Sequence, residues 1–344
     1  MLPRMDAQPD WPRVAAYLAQ HGLALDADPP PFRFPGGLAN INTLIHLSGR
    51  PYVLRRPPSG PLPPGAHDMA REHRILHVLP DALPIAPRSL HLCTDPDVLG
   101  VPFQIIEYRD GRVIRAMLPD DLLDAGPQLS ATLIDTLAAV HAVDTAALGL
   151  NTLGRPEGFL ARAVDGWRRR GLAVAEGESA GLIGEVGAWL DAHKVPDGPP
   201  VLLHNDFKLD NLILDPATLQ PTGLVDWDQG TRGDPLFDLA TLLSYWTEPG
   251  DPPAMHALGQ MPTAAPGFLS RQEAAEAYAA RTGRDLAGFR FHRTLGILKL
   301  GVIFLQLHAL HRKGATADPR YVAFGPLAHG LLEVAHEVAA GRMF

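Results

Sequence analysis

The sequence predicts an α+β fold of two lobes, the first small and β-rich, the second larger and mainly helical. Two observations carry that prediction. Apolar alternation and turn signals fill the stretch up to about residue 110, whereas beyond Gly111 apolar residues recur at helical spacing. Only one strand-rich island, at 201–227, interrupts the helices. A length of 344 residues suits two lobes, divided here into a helix and lead-in over 1–32, an N-lobe over 33–110 and a C-lobe over 111–344.

Taken in order, residues 11–22 have the spacing of a short amphipathic helix closed by Gly22, and Pro29, Pro30 and Pro31 stiffen the approach to the main fold. A turn at Gly36-Gly37 follows. INTLIHL and PYVLRR, joined at Ser48-Gly49-Arg50, read as a β-hairpin. After the Pro-rich loop RRPPSGPLPPGAHD, Asp68 stands where an N-cap belongs, and Met69–Val78 has helical spacing. Apolar segments near 85–92 and at VPFQIIEY, 101–108, complete the first lobe. Helices are then expected over 127–143, 157–170, 179–193, 271–282 and 290–312. Another, carrying LATLLSYW, starts at Asp234-Pro235, a good N-cap and first-turn pair.

Composition narrows the function classes. A formal net charge of -8 gives no general attraction to nucleic acid or anionic lipid, so neither is an expected partner. Cys93 stands alone, which removes a disulfide framework and a multi-cysteine zinc site and suits a reducing cytoplasm. The first residues lack the continuous apolar stretch of a signal peptide. The longest apolar helix candidate, near 294–310, carries Lys299 and Gln306, and no membrane span is expected. No Gly-x-x-x-x-Gly-Lys-Ser/Thr pattern occurs.

The island VLLHNDFKLDNLILDPATLQPTGLVDWD gathers acids and amides: a short apolar run, a polar loop, then the strands NLIL and GLVDW. His204, Asp206 and Asn211 match the kinase catalytic-loop pattern His-x-Asp-x-x-x-x-Asn, and Asp226 closes the next apolar strand where kinases keep a metal-binding Asp. Phosphoryl transfer needs these residue types. A carboxylate such as Asp206 takes the proton of an in-line hydroxyl, while magnesium prefers hard oxygens, here an amide from Asn211 and a carboxylate from Asp226 on adjacent strands. Lys208 is placed to neutralise charge on the moving phosphoryl group.

HNDFKLDN, LVDWD and GDPLFDLA together resemble the aminoglycoside phosphotransferase and choline kinase-like enzymes, whose fold is related to that of protein kinases. YVLRRPP, HDMAREHRIL and FQIIEYRDG resemble the branch found as stand-alone bacterial proteins and as a kinase-like domain fused to acyl-CoA dehydrogenases. The resemblance runs from about 33 to 312 and implies a protein-kinase-like two-lobed fold. It implies Asp206 as catalytic base, Asn211 and Asp226 as magnesium ligands, His204 as an organiser of the loop and Asp238 as its brace. Asp234 and Asp238 are both read as structural support. WDQG after the position of Asp226 replaces the Phe-Gly of protein kinases.

The N-lobe supplies the nucleotide-binding candidates. PGGLAN, with Gly36, Gly37 and Asn40, lies where kinases fold a loop over the phosphates, although Ala39 stands where the family commonly has Ser. Arg55 occupies the place of the kinase strand lysine, with Glu72 as its expected acidic partner on the next helix. The bland alternative is a solvated Arg and a surface Glu. Backbone groups near Glu107 and Tyr108 are expected to receive the adenine. His73 and His77, four apart, read as a solvated helix face without a third zinc ligand. Lys299 reads as a snorkelling stem at the core edge, with a cation aimed at the acceptor as the alternative. Tyr245 and Trp246 read as core aromatics or a wall of the acceptor site.

The expected function is therefore transfer of the terminal phosphate of ATP, with GTP kept open, to a hydroxyl of a small molecule with magnesium as cofactor. The acceptor suggested by the branch is a hydroxyacyl or other hydroxylated metabolite. The alternatives are an aminoglycoside-type antibiotic kinase and a non-catalytic nucleotide-binding module.

Overall fold

The computed structural model describes residues 9–35, 40–58, 67–314 and 319–344, which divide into two compact units. The first comprises Met1–Gly111 with Thr222–Gly230, and the second Arg112–Pro221 with Thr231–Phe344.

In the first unit, helix α1 (Trp11–Gln20) precedes strands β1 (Phe32–Arg33), β2 (Ile41–Leu47) and β3 (Arg50–Arg56). The strict alternation of β2 buries Ile41, Thr43, Ile45 and Leu47 on one face. Its hairpin with β3 runs from Ile41 opposite Arg56 to Leu47 opposite Arg50. Helix α2 (Met69–Leu76) is capped by the Asp68 carboxylate, which accepts from the Arg71 N–H at 3.0 Å, and stops two residues short of the expected end. Strand β4 (Ser89–Cys93), the short helix α3 (Pro96–Leu99) and β5 (Phe103–Glu107) follow, and α3 was not expected. The antiparallel sheet has the order β1-β2-β3-β5-β4. Val14 and Leu18 of α1 pack on Ile45, Leu54, Phe103 and Ile105 of the sheet, each contributing about 1.5–3 kcal/mol by burial.

The second unit is built from helices α4 (Gly126–His141), α5 (Phe159–Leu172) and α6 (Gly177–Ala192), then the short strands β6 (Val201–Leu203) and β7 (Leu212–Leu214). Strand β8 (Pro221–Leu224) leads into the segment that belongs to the first unit, and β9 (Thr231–Gly233) returns to pair antiparallel with β6. Helices α7 (Pro235–Tyr245), α8 (Pro253–Leu258), α9 (Arg271–Thr282), α10 (Phe289–Arg312) and α11 (Phe324–Ala339) complete it.

Helix α10 packs against α5, α6, α7 and α11. It is long and apolar enough to cross a membrane by length and composition, yet 61% of its apolar window is buried within the fold. Close approach of α7 depends on Gly296, where a Cβ would stand 2.9 Å from the Ala240 carbonyl oxygen and the Ser244 hydroxyl.

Candidate active site

Two groups of polar residues stand out, one in each unit. In the first, Asn42, Arg55 and Gln104 lie side by side on β2, β3 and β5. Arg55, 4% exposed, donates from Nε to Glu72 Oε2 at 2.8 Å, from Nη1 to Asn42 Oδ1 at 3.2 Å, and from Nη2 to Asp226 Oδ1. Glu72, fully buried on α2, also accepts from Gln104 Nε2 at 2.6 Å and from the Trp227 N–H at 3.0 Å. The solvated alternative for this pair is overturned: both side chains are buried and bonded to each other and to the groups around them.

Complete burial works against the Arg55 charge, but Asp226, Glu72 and Asp228 outweigh it and hold the proton more tightly than usual. Burial pushes the Glu72 carboxyl up, opposed by the Arg55 guanidinium. These bonds also explain why Thr222–Gly230 belongs with the sheet. The Leu224 N–H adds a bond to the Ile85 carbonyl at 2.9 Å, and Asn40 Nδ2 donates to buried Asp228 Oδ2 at 3.1 Å while His67 Nδ1 stands 2.8 Å from Asn40 Oδ1.

Asp226 does not close a strand. Strand β8 ends at Leu224, and Asp226 has a left-handed φ of 70° before a 3-10 turn at Trp227–Gln229. Asn211 likewise ends the 3-10 turn Leu209–Asn211 ahead of β7. The expected adjacent-strand placement of these two residues is thus corrected to two turns.

In the second unit, β6 delivers the loop beginning at His204. Asp238, fully buried in the first turn of α7, accepts the His204 N–H at 2.7 Å and the Asn205 N–H at 2.8 Å. His141 Nε2 lies 3.2 Å from the same carboxylate, and its Nδ1 is 2.6 Å from the Tyr278 hydroxyl. Burial alone would raise the Asp238 carboxyl, but His141, His204 and the donated N–H hold it below its ordinary value. His204, fully buried, accepts the Asp206 N–H on Nδ1 at 3.3 Å. Its part is loop geometry.

The Asp206 side chain is 15% exposed. Its Oδ1 accepts from the Tyr245 hydroxyl at 2.7 Å, and its backbone carbonyl from Asn211 Nδ2 at 2.7 Å. Because the Asn211 amide nitrogen faces the loop, its oxygen, a hard donor of the kind magnesium takes, is directed away from it. Lys208 Nζ lies 3.7 Å from Asp206 Oδ2 and 3.6 Å from Asp210 Oδ1, and donates to Gln260 Oε1 at 3.3 Å. Asp234 caps α7 through the Leu236 N–H at 2.8 Å and also accepts the Gly198 N–H at 2.6 Å.

The snorkelling reading of Lys299 fails. The residue is 3% exposed, and its Nζ donates to the Asn205 carbonyl at 2.5 Å. Trp246 is core, donating to the Leu269 carbonyl, whereas Tyr245 touches the candidate base. His73 is half-buried, its Nδ1 2.7 Å from the Ser89 hydroxyl, whereas His77 is exposed as a helix face should be, with its Nδ1 3.2 Å from the Ser89 carbonyl. Among the described residues no group of three or more His, Cys, Asp or Glu is arranged to hold a metal ion.

Glu107 ends β5; its N–H donates to the Arg88 carbonyl at 2.9 Å, and its carboxylate accepts from the Arg88 N–H and from Arg109. The Tyr108 ring lies parallel to that of Phe34 at 6.3 Å. Gly36 and Gly37 lie outside the described residues. Sequence reasoning missed His141, Tyr278, Asn42 and Gln104, for which no local signal exists.

Comparison with known proteins gives this arrangement a family. The APH phosphotransferase enzyme family matches residues 33–291. The chain belongs to that family. Among its curated relatives, acyl-CoA dehydrogenase family member 11 of Gallus gallus is 34% identical over 66% of this chain and 29% of its own length. Family member 10 of Mus musculus is 28% identical over 91% and 29%, and the probable acyl-CoA dehydrogenase IBR3 of Arabidopsis thaliana 28% over 95% and 42%. The chain thus spans well under half the length of these relatives.

Solved structures show this APH-family chain to have the kinase-like fold. A Ralstonia eutropha protein assigned to the aminoglycoside phosphotransferases superposes with a TM-score of 0.77 at 23% identity, covering 97% of this chain and 99% of that one. An APH(4)-Ia variant in ternary complex with AMP-PNP and hygromycin B gives 0.61 at 18% identity, over 95% and 99%. Plasmodium vivax ethanolamine kinase gives 0.59 at 15%, over 91% and 82%.

Proposed function

We propose that this family member transfers the terminal phosphate of ATP, with magnesium, to a hydroxyl of a small metabolite. One observation carries the reading: a partly exposed Asp206 carboxylate sits on a loop whose backbone is fixed at two consecutive N–H groups by Asp238. That is what a general base for an acceptor hydroxyl requires. Asn211 and Asp226 are the magnesium ligands in this reading, and Asn211 fits by the direction of its amide oxygen. When bound, magnesium would neutralise charge on the phosphates. Lys208 is assigned to the transferred group, and Arg55 with Glu72 to the nucleotide phosphates. A hydroxyacyl chain or a similar hydroxylated metabolite is the proposed acceptor, supported by the acyl-CoA dehydrogenase names of the relatives.

A second reading, a nucleotide-binding module without turnover, is favoured by one specific contact. Arg55 already pairs with the carboxylate of Asp226, so a metal ion must share or displace a guanidinium there. The two readings separate experimentally. Saturating ATP with magnesium is expected to raise the melting temperature, with stabilisation of about 2.7 kcal/mol at a hundredfold excess over Kd. A panel of hydroxylated acceptors, hydroxyacyl thioesters and aminoglycosides included, is then screened by phosphorus NMR. Binding without any phosphorylated product selects the second reading, and an unmoved melting temperature with no calorimetric heat removes both.

A further inference from the structure

Lys299 is a buried ammonium with no carboxylate in contact among the described residues. Its Nζ meets the Asn205 carbonyl at 2.5 Å and the Thr241 hydroxyl at 3.4 Å, and lies 5.3 Å from the centre of the Phe237 ring. Such burial costs several kcal/mol that a neutral partner does not return in full. Methionine would fill a similar volume without that cost. What only the ammonium supplies is a charged donor to one carbonyl, and that carbonyl joins Asn205 to Asp206.

Asn205 itself has a left-handed φ of 64°. That conformation lets one residue present its N–H to Asp238 on α7 and its C=O to Lys299 on α10. The peptide bond that follows fixes the start of Asp206. Other contacts act on the residue itself: the His204 ring accepts its N–H at 3.3 Å, Asn211 and Tyr245 bind its carbonyl and carboxylate, and Lys208 Nζ lies 3.7 Å from that carboxylate.

We propose that Lys299 is a positioning residue for the candidate base, clamping the carbonyl side of the loop whose amide side Asp238 holds. The functional half of this inference rests on the phosphotransfer reading above; the mechanical half does not. Burial is the main influence on Lys299 and loosens its proton; Asp206 and Asp238 offset this in part, while Arg170 and Lys208 add to it. An ammonium buried against its own desolvation, with Asp206 on the loop and Asp238 on α7 favouring its charge, is consistent with a clamp and unnecessary for a core.

Lys299→Met and Lys299→Arg in the full chain test it by two readouts. Hydrogen exchange over residues 203–209 is expected to show the His204 and Asn205 amides losing about tenfold protection in Lys299→Met. Nucleotide Kd should stay within about twofold while kcat, on an acceptor or on water, falls about tenfold to a hundredfold, as for a base displaced by about an ångström. Lys299→Arg, which keeps charge and donors, should restore part of both. Unchanged exchange in folded Lys299→Met overturns the proposal whatever the activity does. If wild type turns over nothing while Lys299→Met still loosens the loop, the clamp stands and the phosphotransfer reading falls. Should Lys299→Met not fold, Lys299→Gln carries the same measurements, and failure of that variant too would assign the ammonium to stability and overturn the clamp.

Discussion

The two units hold their polar centres by opposite means. Around Arg55, side chain answers side chain: one guanidinium reaches two carboxylates and an amide, and Glu72 takes three donors. Around Asp206 the grip falls on main chain, with Asp238 on two N–H groups and Lys299 on a carbonyl. The difference separates what each centre tolerates. A side-chain network strands a buried charge when either partner goes, whereas a backbone grip depends on residues distant in sequence and, at Asn205, on a residue that accepts a left-handed φ.

The largest effect should fall on the side-chain network. Glu72→Ala leaves buried Arg55 without one of its two carboxylate partners and is expected to cost about 3–5 kcal/mol in urea unfolding; a loss below about 1 kcal/mol would show that Asp226 alone satisfies the guanidinium. Next comes a pH effect in the other unit. Lys299 is pushed down to about 8, first by burial, so between pH 8 and its ordinary 10.5 the unfolded chain holds a proton that the native chain has released. Stability should therefore rise with pH across that window through this group, by at most about 3 kcal/mol. Comparing melting curves of wild type and Lys299→Met from pH 7.5 to 10 isolates the increment, which the variant should lack.

Asp206→Asn keeps size and loses proton affinity. It should leave fold and nucleotide binding near wild type and lower turnover by about a hundredfold or more; full turnover on a confirmed acceptor would move the base elsewhere. Tyr245→Phe, the mildest change, deletes one hydroxyl from the Asp206 carboxylate. Its expected cost is about 1–2 kcal/mol, read as a several-fold loss in kcat with KM for nucleotide unmoved, and a change confined to KM would instead make Tyr245 a binding residue.

Legibility followed sequence distance. The hairpin β2–β3 was readable because alternation and a Ser48-Gly49 turn lie within one stretch, and the catalytic loop because its residues fall within eight positions. Helix α11 was missed: Gly325, Pro326 and Gly330 argue against a helix locally, and packing on α10 and α8 overrides them. Strand β9 is three residues long, too short for a pattern. Of the loop's supports, Asp238 was legible in GDPLFD, but the partners of Lys299 and His141 were not. Lys299 stands 94 residues from Asn205 and His141 stands 97 from Asp238, and nothing near either residue announces its partner.

Gly296 connects helix spacing to the loop. In a helix interior, glycine sacrifices about 1 kcal/mol relative to alanine, yet here a methyl group would meet the Ala240 carbonyl at 2.9 Å. Three residues further along α10, Lys299 spans the same gap to Thr241 and Asn205 with a stem of fixed length. The interaxial distance therefore acts as a mechanical tolerance. A single added carbon at 296 would prise the two helices apart and shorten the lysine's reach, so that a residue touching nothing in the loop would detune it from behind.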